Sequence, residues 1–428
     1  MTRLIFTLLT VFCYALAASA EDADVDARFA AMQARIEQLE QKLVAQSDEL
    51  AAAKQVASAA PVASATPDVA AEPPSFFDTV NVNGFAAASY FYNFNNPDGD
   101  SLAGSNATVD LLHPDSNSFS LDQLWLTISR DVSEEHRAGF RADFVYGKSA
   151  AILSGDNVDG AAGNDFDLAQ GYVSYLAPIG KGVTILAGKF ATPIGAEAPG
   201  ATANWNITRG NVWNFLQPID HTGILATTPI GPVTATLGVA DEGRAFPALD
   251  ADRNNNKALL WALSASGETF AGSFAGTYSD SPASFSSDPD DNELLLDFIG
   301  RWTPNERFSS YVNFDWISTD TGSNSIDGYG IASAAHFVIT DSTGIAGRFE
   351  YMSLEDDDFG SDLTIWGLTG TLDHKLTGGL TLRGEVRYDS ATDAELLTGF
   401  GDDIYFGDDG PGDDDSQVTA GVEVIYGF

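Results

Sequence analysis

Charged residues of opposite sign recur two or four positions apart in several alternating stretches of this sequence. The sets are Arg141 with Asp143, Asp297 with Arg301, Arg348 with Glu350, and Glu385 with Arg383 and Arg387. In a β-strand such residues share one face, where opposite charges can pair and line a wet surface. Opposed rows of charge would also create a transverse field that orients dipolar solutes. The alternative is structural, with each pair only keeping the wall hydrated and in shape.

A second candidate region is the stretch 191–220, the longest of the predicted loops. Three prolines stiffen it, and it contains charges of both signs. If this loop folds into an enclosed lumen, we expect its charged side chains to line a constriction. The candidates are Glu197, Arg209 and Asp220. The alternative is a surface loop that never enters the lumen.

Three acidic runs occupy 288–293, 355–362 and 407–415. Clustered carboxylates are oxygen ligands for Ca²⁺ or Mg²⁺. The candidate ligands are Asp356, Asp357, Asp358, Asp413, Asp414 and Asp415. Such ions could bridge to lipopolysaccharide, or the runs could form only a solvated acidic surface. No run has the spacing of an EF-hand loop, and no other cofactor is expected.

Motifs of catalysis are absent from the sequence. The five histidines are scattered without an H-E-x-x-H spacing, and there is neither a G-x-S-x-G elbow nor a Walker loop. We therefore expect no enzyme. A formal net charge of −40 also argues against a nucleic-acid partner, because phosphate binding requires basic surface.

β-Strands must position these side chains, because apolar and polar residues alternate from residue 76 to 428. In the stretch 137–146, for example, Phe140, Phe144 and Tyr146 share one face, and Arg141 and Asp143 share the other. The pattern predicts about 16 strands with connections that alternate in length. The short turns lie near 133–136, 178–181, 231, 267, 304–306, 342 and 377–379, and the long loops are 95–118, 148–164, 191–220, 241–257, 279–291, 321–327, 353–360 and 391–415.

Short turns on one side and long polar loops on the other are typical of a transmembrane antiparallel β-barrel. No later segment reaches the ~20 apolar residues that a spanning helix needs. Alternation alone does not exclude a soluble β-protein, which has the same period with its apolar face buried. The fold class that we predict is all-β, with a short α-helical coiled coil before the barrel.

The first 75 residues differ from the rest. Residues 1–20 have a basic start, an apolar run and a small-x-small end, which predicts a cleaved signal peptide rather than an uncleaved anchor. Residues 21–56 show apolar residues at spacings of three and four. This pattern predicts a periplasmic coiled-coil stem, or else a helix packed on its own chain. Residues 57–75 form an Ala- and Pro-rich linker, and the barrel spans 76–428.

The chain ends on an alternating strand, GVEVIYGF. Tyr426 and Phe428 suit an interfacial aromatic girdle, and we expect this strand to close against the first one. The terminal aromatic pair resembles the insertion signal of outer-membrane barrels.

The segments AGKFATPIGAE (187–197) and NVWNFLQPIDHTGI (211–224) resemble a family of outer-membrane porins, the second β-barrel porin (OmpL-like) family. The matching positions are Gly188, Lys189, Phe190, Thr192, Pro193, Gly195, Glu197, Gln217, Pro218, His221, Thr222 and Gly223. The resemblance covers 76–428 and implies a passive channel for small hydrophilic solutes.

These observations together predict a water-filled, cation-preferring porin in the outer membrane of a Gram-negative cell. The coiled coil would make it a homo-oligomer, with a trimer favoured over a dimer, and lipid and lipopolysaccharide would surround it. The alternative is a structural barrel whose helical stem tethers the outer membrane to the cell wall.

Overall fold

The computed structural model describes residues 79–95, 110–113, 117–154, 165–241, 257–280, 292–320, 325–356, 361–392 and 416–428. The predicted signal peptide, helical stem and linker lie outside these ranges. So do five of the six predicted metal ligands, and the side chain of Asp356 is not described either. Those expectations remain predictions.

Sixteen strands form one closed antiparallel barrel in which each strand pairs with its neighbours along the chain. This confirms the predicted all-β barrel and its strand number. The strands are β1 (Asn81–Asn93), β2 (Ser118–Arg130), β3 (Ala138–Tyr146), β4 (Phe166–Ala177), β5 (Val183–Ala191), β6 (Asp220–Ile230), β7 (Val233–Ala240), β8 (Ala258–Ser266), β9 (Phe270–Asp280), β10 (Asn292–Asn305), β11 (Phe308–Asp320), β12 (Ser325–Thr340), β13 (Thr343–Asp356), β14 (Ser361–Thr377), β15 (Leu380–Thr392) and β16 (Ser416–Gly427).

The strands turn their apolar residues outward. On β15, Leu382 and Val386 are exposed, whereas Arg383, Glu385 and Arg387 are buried inside the barrel. A soluble β-protein would place these two sets the other way round. An apolar outer wall around a charged interior is the arrangement of a membrane barrel.

The last strand closes the barrel. β16 pairs with β1, with Gly427 opposite Phe85. Phe428 continues this pairing, because its N–H and C=O bond to the backbone of Gly84 at 2.9 and 3.0 Å. The exposed rings of Tyr426 and Phe428 stack with centroids 6.5 Å apart. Their role as an insertion signal remains a prediction.

Two short α-helices, which strand alternation did not predict, lie in long connections of the described chain, besides a 3-10 turn at Ala201–Ala203. They are α1 (Lys148–Leu153), after β3, and α2 (Asn211–Leu216), between β5 and β6. Within the described ranges, no helix is long and apolar enough to cross a bilayer.

A β-bulge interrupts β2. Ala87 of β1 lies opposite Gln123, and the next residue, Ala88, lies opposite Leu121. Asp122 is the extra residue, and both Asp122 and Gln123 are buried. Strict alternation would turn one of them outward, so the bulge brings a second polar side chain into the interior.

Candidate functional site in the barrel interior

Residues 192–219, which connect β5 to β6, form an inner loop that crosses the barrel interior. Its backbone and side chains bond to residues on β2, β10, β11, β13 and β15. In a barrel of 16 strands, β13 and β15 lie across the lumen from β5 and β6. The loop therefore spans the lumen and narrows it.

Arg348 on β13 fixes the loop by an ion pair. Its guanidinium lies 2.7 Å from Glu197 of the loop and 2.9 Å from Glu350 on its own strand. It also donates to the carbonyl of Thr208 at 2.7 Å. Because the Arg348 side chain is wholly buried, these three oxygens replace the water that its charge would otherwise keep.

Glu385 on β15 receives the loop backbone. Its carboxylate accepts the N–H of Ile207 at 2.6 Å and both the N–H and the hydroxyl of Thr208. The hydroxyl of Thr371 on the neighbouring strand donates to it as well. A carboxylate with four donors is fully satisfied without an arginine.

Two arginines on β15 also bind loop carbonyls. Arg387 donates to the carbonyl of Arg209 at 2.6 Å, and Arg383 donates to that of Asn204 at 2.9 Å. Arg209 itself lies within the loop and donates to carbonyls of the same loop, including that of Ala198 at 2.8 Å. Burial lowers the pKa of Arg209.

The C-terminal part of the loop meets β11. The side chain of Gln217 donates to Asn313 and Asp315, and Asn313 accepts the N–H of Ala196 at 2.8 Å. Gly195 has a φ of +91°, and a Cβ there would lie 2.2 Å from the Gln217 amide oxygen. The two sequence segments that suggested a family therefore meet in space at Gly195 and Gln217.

Apolar packing completes this half of the lumen. Val212, Phe215 and Leu216 of α2 are buried in one cluster with residues of β8–β15 such as Leu295 and Met352. The loop is thus held on this side by both ion pairs and apolar contacts.

The opposite half of the lumen contains a cavity of about 440 Å³. It lies between loop residues 198–203 and the walls formed by β1–β6. Arg141, Asp143, Gln170, Asp220 and Thr202 are among its lining residues.

Three charged side chains beside this cavity, those of Arg141, Lys189 and Asp220, are only partly buried. Arg141 lies 3.0 Å from Asp143, and its side chain is 38% exposed. Lys189 lies 3.5 Å from Asp220 and 3.6 Å from Asp167, and its side chain is 21% exposed. These groups can therefore interact with a solute as well as with each other.

Of the three predicted constriction residues, the structure brings two together. Glu197 bonds to the N–H of Gly210, next to Arg209, and both belong to the contacts with β13 and β15. Asp220 pairs with Lys189 and faces the cavity. Whether these three residues set the width of a pore remains a prediction.

The predicted charge sets are formed in part. Arg141 pairs with Asp143, and Arg348 pairs with Glu350. Arg383 pairs with Glu423 on β16, which lies opposite it in the register, and Arg387 pairs with Asp389. Expecting Glu385 to pair with both arginines was incorrect, because its oxygens are occupied by the loop.

The set of Asp297 and Arg301 is also rearranged by the loop. Asp297 accepts from the Asn313 amide at 2.6 Å, and Arg301 donates to the carbonyl of Ala196 at 3.0 Å. Sequence spacing identifies which charges share a face, but the loop backbone competes for them.

Sequence reasoning missed a cluster around His113. Nδ1 of His113 lies 2.6 Å from Asp110, and Nε2 lies 3.9 Å from Asp122. Burial would lower the pKa of His113, but the charge of Asp122 and the hydrogen bond to Asp110 outweigh it and raise this pKa to about 9. Glu423 of β16 lies beside His113 and Asp122 as well. No local spacing reveals this group, because His113, Asp122 and Glu423 come from a loop, a bulge and the last strand.

Comparisons with known proteins agree with this architecture. Among solved structures, an anion-selective porin from Comamonas acidovorans is 15% identical, with 82% of this chain and 99% of that chain covered and a TM-score of 0.53. OprB of Pseudomonas putida is 14% identical, with 82% and 95% covered and a TM-score of 0.54. OmpT of Vibrio cholerae in its trimer form is 11% identical, with 82% and 99% covered and a TM-score of 0.54.

At such identities these likenesses show the fold alone. No curated protein sequence matches the chain. A family profile, described as "Putative beta-barrel porin-2, OmpL-like", matches residues 79–428, which include every strand of the barrel. The chain belongs to this family of outer-membrane β-barrel porins.

Proposed function

We propose that the barrel is a water-filled channel for the passive diffusion of small hydrophilic solutes or ions. The cavity between the inner loop and the walls of β1–β6 supports this proposal most directly, because partly exposed charges line it. A barrel of 16 strands is wide enough to leave an aqueous channel. The inner loop would then set the size limit.

The charge of the interior supports a preference for cations. Among the described residues, the buried side chains include eleven carboxylates but only four arginines and no lysine. Fixed negative charge raises the local concentration of cations and lowers that of anions. The solved porin from Comamonas acidovorans is anion-selective, but 15% identity carries no information on selectivity to this chain.

A homotrimer is the assembly that we propose. The outer wall of each barrel is apolar and can contact either lipid or another barrel. One structure of similar fold, OmpT of Vibrio cholerae, was solved in a trimer form. Lipopolysaccharide would contact the long-loop side. The coiled-coil stem would lie in the periplasm.

Planar bilayers test the channel. The refolded protein is added at low concentration, and single-channel conductance and the reversal potential under a KCl gradient are recorded. We expect conductance steps in groups of three and a cation-selective reversal potential. An anion-selective reversal would assign the filter to the interior arginines and contradict the proposed preference.

A correctly folded barrel without conductance would contradict the channel itself. Folding is checked independently by the shift in gel migration on heating that intact barrels show in detergent. That result would favour the alternative, a barrel that serves as an envelope tether. Deleting residues 21–75 would then impair envelope integrity.

A further inference from the structure

Three side chains from distant parts of the chain converge near the wall formed by β16, β1 and β2. They are His113, in the short segment 110–113, Asp122, in the bulge of β2, and Glu423, on β16. One ligand atom from each, a ring nitrogen and two carboxylate oxygens, lies within 4.8 Å of the other two. Ligand atoms on one tetrahedral ion lie about 3.4 Å apart, so side-chain rotations that bring these atoms closer by up to about 1.4 Å would let all three contact one metal ion.

Asp110 orients the histidine. Its carboxylate oxygen lies 2.6 Å from Nδ1 of His113, so it can accept the Nδ1 proton. The other ring nitrogen, Nε2, then faces Asp122 at 3.9 Å. Metal-binding histidines commonly use this arrangement, in which a carboxylate fixes the tautomer and leaves the opposite nitrogen for the ion.

The carboxylates are deeply buried. Glu423 and Asp122 are 1% and 2% exposed. Oε2 of Glu423 lies 3.4 Å from Arg383, but Oε1 is buried with no hydrogen-bond partner among the described residues. Leaving a carboxylate oxygen buried and unsatisfied costs free energy, and a bound cation would offset that cost.

The backbone of β2 departs from a regular strand beside these three side chains. Asp122 faces inward only because the bulge inserts an extra residue into β2. Bulges often occur where a strand must redirect a side chain at a functional site. A regular β2 would bury only one of Asp122 and Gln123.

We propose that His113, Asp122 and Glu423 bind one divalent transition-metal ion of the Zn²⁺ class, with Asp110 as the orienting residue. One imidazole and two carboxylates match the nitrogen and oxygen ligands that Zn²⁺ and Co²⁺ accept, whereas Ca²⁺ and Mg²⁺ favour oxygen alone. The ion would tie the segment 110–113 to β2 and β16. This assignment is independent of channel activity.

Cobalt provides the test. The refolded full chain in detergent is stripped with EDTA and dialysed against Co²⁺ in a large excess of Mg²⁺, which saturates the acidic runs. We expect one Co²⁺ retained per chain, with visible d–d absorption that Zn²⁺ abolishes. His113→Ala and Glu423→Gln should each lose the bound Co²⁺ and its absorption.

His336→Ala is the matched control. His336 also pairs with a carboxylate, Asp373 at 2.9 Å, but does not belong to a three-ligand group in the described part of the chain. This variant should retain Co²⁺. Heat-modifiable migration establishes that each variant is folded, and Glu423→Gln preserves side-chain volume if His113→Ala is poorly folded.

Two results would overturn the proposal. A folded wild-type chain that retains no Co²⁺ would show that a proton on His113, rather than a metal ion, joins the carboxylates. Co²⁺ retained equally by Glu423→Gln, His113→Ala and the wild type would place the bound ion elsewhere.

Discussion

The two halves of the lumen are built differently. Where the inner loop meets β13 and β15, Arg348 and Arg387 are fully buried and each makes several short contacts with carboxylates and loop carbonyls. Where the loop faces β1–β6, it packs through Ala201 and Ile219 and bonds to Gln123 of β2. A cavity lies beside these contacts, and Arg141 at its edge is 38% exposed. One half holds the loop by buried ion pairs, and the other leaves part of the loop beside a cavity.

The same residue types therefore have different roles in the two halves. A buried arginine is expensive to desolvate and must be fully paired, so it fixes geometry. A half-exposed arginine keeps its hydration and contributes little to stability, but its field reaches the solvent. The charged side chains beside β13–β15 therefore fix the position of the loop. We expect those beside β3–β6 to interact with solutes.

The largest effect should come from Arg348→Ala. It leaves Glu197 and Glu350 buried without their shared cation, and breaking a buried ion pair costs roughly 3–5 kcal/mol. We expect the free energy of unfolding in urea to fall by about this amount. The inner loop should also become sensitive to protease.

Arg141→Ala is the control for that prediction. The Arg141 side chain is 38% exposed, and buried Asp143 would keep the Gln170 amide as a donor, so the loss should be only about 1 kcal/mol. Equal losses of stability in the two variants would contradict the distinction between the two halves.

Glu385→Gln should have an intermediate effect. The Gln side chain keeps one acceptor oxygen but directs an NH₂ group at donors from Ile207, Thr208 and Thr371, which costs about 1–3 kcal/mol. Hydrogen exchange measured by mass spectrometry should show faster exchange of the Ile207 and Thr208 amides.

Glu293→Gln offers a matched comparison for that experiment. Glu293 is equally buried, but it accepts the hydroxyl of Thr319 on the barrel wall. Exchange at residues 207 and 208 should stay unchanged in this variant. If both variants speed exchange there, Glu385 does not hold the loop in the way that the contacts indicate.

The smallest effects on stability, and the clearest on selectivity, should come from charges beside the cavity. Arg141→Ala removes a positive charge and Asp220→Asn a negative one. A single charge in water contributes up to about 1 kcal/mol, which changes the local concentrations of cations and anions up to about fivefold each, in opposite directions. The cation-to-anion permeability ratio should therefore rise in the first variant and fall in the second. Reversal potentials measure both shifts. Shifts in the same direction would mean that solutes do not pass this cavity.

Much of the barrel was predictable because the alternation of apolar and polar residues along each strand is visible in the local sequence. The strand that lies between the predicted loop 241–257 and the predicted turn at 267 has the same bounds, 258–266, in the structure. The closure of β16 on β1 followed from the patterned C-terminus. The bulge at Asp122 was not predictable, because a single extra residue leaves almost no trace in an alternating pattern.

The interior site was predictable only in part. Sequence spacing placed Arg348 and Glu350 on one face, and loop length identified 191–220 as a candidate to enter the lumen. It did not predict that Glu385 would bind loop amides 177 and 178 residues away in sequence. Such contacts depend on how the loop crosses the barrel, and no local pattern records that path.

Cysteine accessibility tests the central claim most directly, namely that buried ion pairs fix the inner loop on one side of the lumen and that an open cavity borders it on the other. The only cysteine in the sequence, Cys13, lies in the predicted signal peptide, so a single introduced thiol can be followed. Thr202 lines the cavity and is exposed, whereas Val212 is buried against the opposite wall. In Thr202→Cys, a bulky charged thiol reagent should react rapidly and lower single-channel conductance, and in Val212→Cys it should do neither. Rapid reaction at residue 212 with protection at 202 would reverse the assignment of the two halves and contradict the account.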